Sequence, residues 1–186
     1  IYQPAVNKSW HPLYGERSTV REAYNEATMY LSKKDGSNYR LNIEVRAYDE
    51  GIAFRYFFPE HPQAIFHKVV GDLTEYTFSP GAMAWAEQWA QAPFEHLAIN
   101  AIKQPVERAL TVELSNGLWV ALTDADVDDW CLTKLVASPT KQNTLTSVMY
   151  SPVDIVTYYA TPWKVIMAAD KPGELLEHND IIQNLN

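Results

Sequence analysis

The sequence predicts an all-β, antiparallel sandwich or barrel, on three observations: strict apolar–polar alternation in one segment, two hairpin turn signals, and short β-branched or aromatic runs separated by Gly, Pro and Asn. Across residues 40–48, Leu41, Ile43, Val45 and Ala47 fall on one side and Arg40, Asn42, Glu44, Arg46 and Tyr48 on the other. That period of two marks a strand with one buried face. Asp49, Glu50 and Gly51 supply turn chemistry, and the run from Ile52 to Phe58 resumes the strand pattern, so residues 40–58 read as a hairpin. Ser115, Asn116 and Gly117 join residues 110–114 to 118–123 in a second hairpin, because Asn and Gly tolerate the positive φ of tight turns. Further strands are predicted over residues 73–78, 144–149 and 161–169. Helical patterning is sparse. Residues 83–92 fit about two helical turns with Trp85 and Trp89 on one face, or a loop carrying aromatics.

Composition bounds the function. Of the 186 residues, 47 % are apolar, 20 % charged and 12 % aromatic, as in a β-rich globular protein. A chain of this length buries about 70 % of its unfolded surface, and no repeat or low-complexity tract divides it, so residues 1–186 are expected to form one domain. The net charge is −8 and Lys and Arg form no cluster, which argues against nucleic-acid binding. The longest apolar runs, at 118–122 and 165–169, fall far short of the roughly 20 residues of a membrane-spanning helix. Cys131 is alone, so neither an intrachain disulfide nor a multi-cysteine zinc site is available.

Few residues carry chemistry by pattern. Glu26 reads first as a polar residue on a strand's solvent face, with a role in substrate binding as the alternative. Asp124, Asp126, Asp128 and Asp129 place four carboxylates within six residues, straight after an apolar strand. Such a loop suits Ca²⁺, which takes several oxygens at about 2.3–2.6 Å. The ligand order and glycine of an EF-hand are missing, and a solvated loop or a helix start remains open. His11, His61, His67, His96 and His178 show no metal-ligand spacing. Trp85 and Trp89, with Trp10, Phe94 and Trp130, are candidates to stack on sugar rings or to fill a core. Nucleotide-binding glycine loops and the Gly-x-Ser-x-Gly nucleophile motif do not occur.

A set of motifs in fixed order supports a family resemblance. Trp10 and Pro12 with Gly15-Glu16-Arg17, then Tyr24-Asn25-Glu26, then Val45-Arg46 through Phe54-Arg55-Tyr56, then Thr161-Pro162-Trp163-Lys164-Val165-Ile166, Pro172-Gly173-Glu174-Leu175 and the closing Asn184-Leu185-Asn186 resemble the N-terminal domain of family 97 glycoside hydrolases. The resemblance spans nearly the whole chain. It implies a β-super-sandwich resembling galactose mutarotase, beginning earlier than Ile1 and so incomplete at its N-terminus here. It also implies a partner: a (β/α)8 catalytic barrel in the same polypeptide, which holds the acid and base for cleaving α-glucosidic or α-galactosidic bonds of oligo- or polysaccharides.

By that resemblance this chain alone is inactive and has no catalytic residue of its own, a Ca²⁺ is shared with the barrel, and the host protein is periplasmic or secreted. The position of a family glutamate that helps bind Ca²⁺ is matched by Asp124, whose carboxylate is one methylene shorter. Lys164 stands where Arg is common, a point charge in place of a planar fork. Two alternatives are a stand-alone carbohydrate-binding module resting on Trp85 and Trp89, and a mutarotase-like sugar epimerase, which needs a His and Glu pair in a cleft.

Overall fold

Both predicted hairpins form, and each joins neighbouring strands of one large sheet. The computed structural model describes residues 1–62 and 64–186. In chain order the strands are β1 (Val6–Trp10), β2 (Val20–Ser32), β3 (Arg40–Tyr48), β4 (Gly51–Phe58), β5 (Phe66–Val69), β6 (Glu75–Thr77), β7 (Met83–Ala86), β8 (Glu95–Ala98), β9 (Leu110–Glu113), β10 (Trp119–Ala125), β11 (Thr133–Ala137), β12 (Thr144–Met149), β13 (Val153–Val156), β14 (Tyr159–Ala160) and β15 (Trp163–Ala169). Two single-turn helices, α1 (Glu174–Glu177) and α2 (Asp180–Gln183), close the chain. Among the described residues the large sheet runs β1-β2-β3-β4-β15-β10-β9-β7-β8, with β14 beside β4; β11-β12-β6 and β13-β5 make two smaller sheets. The chain is thus mostly β, in several antiparallel sheets, as a sandwich domain requires.

Alternation along the central strands explains the layering. Val120 and Leu122 of β10 join a core with Leu110, Val112, Leu135 and Leu145, sealed between the large sheet and the β11-β12-β6 sheet. Ala121 and Ala125 point the other way and join Trp163, Val165 and Met167 of β15 under Leu175, Ile181 and Leu185 at the chain's end. Each fully buried Leu, Val or Ile contributes about 1.5–3 kcal/mol, so β10 and β15, buried on both sides, anchor the fold.

Glycine is required at two turns. Gly117 takes φ +89° between β9 and β10, as the Asn-Gly signal predicts. At Gly51 a Cβ would stand 2.2 Å from the Ile166 carbonyl oxygen, so only glycine lets β4 approach β15 there.

Residues 83–92 correct the helical reading. β7 and β8 pair as antiparallel strands and residues 87–94 form the connection, so Trp85 and Trp89 share no helical face. The period there is two: Ala84 and Ala86 are buried between the outward Met83 and Trp85, and pairing with β9 fixes that register. Glu26 does lie on a strand, the 13-residue β2, but not on a plain solvent face: Tyr24 and Glu26 are half-buried on the side that alternation would leave wet.

Candidate functional site

Register brings distant residues to one face of the large sheet. Glu26 lies opposite Arg46, Arg46 opposite Ala53, Ala53 opposite Val165, and Glu44 opposite Arg55. By alternation Tyr24, Glu26, Glu44, Arg46 and Arg55 therefore share the face that Trp163 occupies on β15. Arg46 Nε donates to Glu26 Oε2 at 2.8 Å and Arg55 Nε donates to Glu44 Oε2 at 2.7 Å. Both guanidinium groups also lie over Trp163, 4.8 and 4.4 Å from its ring centroid, and Arg46 lies 4.5 Å from that of Tyr24. Trp163 is only 2 % exposed, so the two cations form its lid. Each such contact is worth about 0.5–2 kcal/mol, depending on how far the cation is desolvated.

This outer ladder continues into the acidic loop. Arg55 Nη1 lies 3.5 Å from Asp126 Oδ2, and the Asp126 backbone N–H donates to Asn186 Oδ1 at 2.5 Å. Asp126 and Asp129 both adopt positive φ, 56° and 49°, a conformation non-glycine residues hold only where surrounding contacts enforce it. One such contact is Tyr159, whose hydroxyl donates to the Asp128 and Asp129 carbonyls at 3.1 and 3.2 Å and whose ring stacks on Trp130 with centroids 5.9 Å apart.

A second charged group lies on the opposite, inner face. Asp124 and Lys164 are register partners, yet each pairs elsewhere. Asp124 accepts from Arg108, and its Oδ2 also accepts from Thr133 Oγ1 at 2.9 Å. Lys164 pairs with Asp72, which also accepts from Thr74 N and Thr74 Oγ1 at 3.0 and 2.6 Å; the Tyr56 hydroxyl bonds that same Oγ1 at 2.9 Å. The four charged side chains are 4–9 % exposed. Burial pushes the Asp72 carboxyl up, and the Lys164 ammonium and the Thr74 bonds outweigh it, leaving the group below its ordinary value. Burial, helped by the nearby Asp72 carboxylate and opposed by the Arg108 charge, lifts the Tyr76 phenol well above its usual range. A cleft of ≈ 370 Å³ reaches one end of this quartet, at Asp72 and Thr74, and is walled by Leu41, Phe58, Leu73 and Trp130. The polar groups of its floor bond to one another.

The residues singled out from sequence lie in three places. Glu26 belongs to the outer ladder and is tied to Arg46. Asp124 belongs to the inner quartet. Trp85 and Trp89, 41 % and 57 % exposed, sit by the far edge hairpin β7–β8, with five strands between it and β2 in the sheet order. Trp85 stacks on His96 at 4.4 Å, and His96 lies 3.7 Å from Glu113 on the exposed face, away from any cleft described above.

Arg46, Arg55, Trp163, Asp72 and Arg108 were not singled out as site residues. Lys164, a cation inside the apolar run 163–169, was the one visible hint of a buried partner.

The Ca²⁺ implied by the family resemblance does not fit Asp124 as placed. Both carboxylate oxygens face Arg108 or Thr133, and a dication there would meet the guanidinium charge. Among the described residues no group of three or more His, Cys, Asp or Glu is arranged to hold a metal ion.

Comparison with known proteins returns one consistent result. The family model described as glycosyl-hydrolase 97 N-terminal matches residues 2–186. A glycoside hydrolase family 97 enzyme from Pseudoalteromonas sp. strain K8, solved in complex with acarbose, superposes with a TM-score of 0.91 at 23 % identity, over 100 % of this chain and 29 % of that one. The same enzyme's E480Q form, solved with panose, gives the same values. A β-arabinopyranosidase superposes with a TM-score of 0.81 at 17 % identity, over 91 % of this chain and 31 % of that one. The chain thus spans about a third or less of the structures it resembles.

Proposed function

The chain belongs to the glycosyl-hydrolase 97 N-terminal family, and from that premise we propose that it supports and shapes the active site of a (β/α)8 barrel that cleaves α-glucosidic or α-galactosidic bonds. One observation carries the reading. Tyr24, Glu26, Arg46, Arg55 and Trp163, scattered through the sequence and all within the motifs that resemble the family, meet in one ladder that ends on the loop after β10. A rigid sheet face that fixes a strained loop suits a domain whose task is to position a loop against another surface.

The chemistry itself belongs elsewhere in this reading. Glycoside hydrolysis needs one carboxylic acid to protonate the leaving oxygen and a second carboxylate as base or nucleophile, flanking the scissile bond. Glu26 and Glu44 each accept a hydrogen bond from an arginine of the same sheet face, so both carboxylates are engaged in the ladder. The sandwich is the β-super-sandwich that resembles galactose mutarotase, and a periplasmic or secreted location goes with the reading. Calcium would be held by the barrel in this reading, because Asp124 is already engaged by Arg108 and Thr133.

The test is hydrolysis of p-nitrophenyl α-glucoside and α-galactoside by residues 1–186 and by the uninterrupted parent polypeptide, with and without Ca²⁺. Turnover by the parent alone is expected. Turnover by the 186 residues, or none by the parent, overturns the proposal.

A second reading, a stand-alone carbohydrate-binding module, has the exposed Trp85 and Trp89 in its favour. It requires titratable saccharide affinity in the isolated chain, lost in Trp85→Ala or Trp89→Ala.

A further inference from the structure

The acidic loop is ringed by apolar side chains that face solvent. Phe66, Tyr150 and Tyr158 are 77 %, 79 % and 74 % exposed, and Val127, Leu132 and Val156 each more than half. They are neighbours in space. Val156 lies opposite Phe66 in the β5–β13 ribbon, Tyr150 N donates to the Leu132 carbonyl at 2.8 Å, and a cleft lined by Asp129, Trp130, Val153, Val156 and Tyr159 joins the loop to the ribbon. Six large side chains of this kind expose on the order of several hundred Å², at the upper end of the roughly 300–600 Å² that the largest apolar patch on a monomer reaches.

The belt has a sign as well as a texture. Asp126 is matched by Arg55 and Asp154 by Lys68, whereas Asp128 and Asp129 enter no ion pair among the described residues. The loop that presents them is held in shape by Tyr159 and by Asn186. An apolar ring around two unmatched carboxylates fits a partner face that is apolar at its rim and basic at its centre.

We propose that loop 126–132 and the β5–β13 ribbon form the surface on which the larger, catalytic part of the parent polypeptide docks, with Lys or Arg side chains of that part set against Asp128 and Asp129. This rests on the functional reading above. One observation names the occupant: the family 97 enzyme that shares this fold is more than three times as long as this chain.

The experiment is hydroxyl-radical footprinting of residues 1–186 and of the parent polypeptide, paired with the glycosidase assay. In the parent, Phe66, Tyr150 and Tyr158 are expected to lose most of their reactivity, while Trp85, Trp89 and Phe94 at the far edge keep theirs. Asp128→Lys with Asp129→Asn, which keeps a residue tolerant of positive φ at 129, should leave the denaturation midpoint of the isolated chain unchanged and, in the parent, restore the reactivity of the belt.

A belt as reactive in the parent as in the isolated chain overturns the proposal, as does protection that falls instead on Leu13, Tyr14 and Leu176. Protection already present in the isolated chain, with a doubled mass in sedimentation, overturns it in favour of a second copy. A parent that lacks glycosidase activity but protects the belt sinks the functional reading and leaves the docking surface standing; an active parent with an unprotected belt does the reverse.

Discussion

The inner quartet and the outer ladder both set carboxylates against cations, on opposite faces of the large sheet, yet they do different work because their surroundings differ. Asp72, Lys164, Arg108 and Asp124 are sealed between sheets at 4–9 % exposure, whereas Glu26, Arg46, Glu44 and Arg55 keep 21–24 %. A sealed charge depends wholly on its partner, because water cannot replace it. A half-exposed charge has water in reserve, and what it loses with its partner is mainly geometry. The inner group thus locks two sheets together, and the outer group holds Trp163 down and aims the loop at Asp126.

Breaking one inner pair sharpens the comparison most. Lys164→Ala leaves Asp72 charged and buried, and an unfolding titration should show a loss of about 3–5 kcal/mol. Replacing both partners, Asp72→Leu with Lys164→Met, removes the stranded charge and should recover most of that loss. A double variant no more stable than Lys164→Ala would mean that the pair is not the reason for the cost.

The next largest effect is the dependence on pH. Asp72 titrates below its ordinary value of 3.8 in the folded chain, so between the two values the unfolded chain binds more protons. Its contribution is complete above the unfolded value and is lost as pH falls through the folded one. Stability measured from pH 6 downward should decline in that window, and Asp72→Asn should flatten the decline. The alkaline side belongs partly to the outer face. Burial lifts Tyr48 from 10.0 to about 12, so its contribution is complete below 10.0 and fades as pH rises towards about 12. Tyr48→Phe should flatten that limb and leave the acid limb alone.

The same contrast explains what could be read from the sequence. β3, β4, β9 and β10 were legible because their alternation and turns are local, set by residues within a few positions of each other. The short α1 and α2 and the long β2 were not. β2 buries polar residues, and Arg46, the partner of its Glu26, lies 20 residues away in the chain. The outer ladder was half-visible: Tyr24, Glu26, Arg46, Arg55 and Trp163 stood in the motifs that carried the family resemblance and Glu44 just outside them, but nothing local says that Glu26 meets Arg46 or that two arginines share one tryptophan. The inner quartet is harder still. Asp72 and Arg108 sit in connections, where a charged residue reads as solvated, and only closure of the smaller sheets over them makes them interior. Asp124 shows the same limit, because a carboxylate beside a loop looks like a ligand until its arginine is found.

The smallest predicted effect separates charge from shape on the outer face. Arg55→Lys keeps the positive charge and the reach towards Glu44 but removes the planar group that covers Trp163. If the ladder acts as a lid, the isolated chain should lose about 1 kcal/mol, and the Trp163 fluorescence should shift to the red as water reaches the ring. The loop should loosen with it, because Arg55 also faces Asp126; faster amide exchange over residues 126–129 would report this. An unchanged spectrum and unchanged exchange would mean that charge alone holds the ladder, and that the outer and inner networks differ in exposure but not in kind.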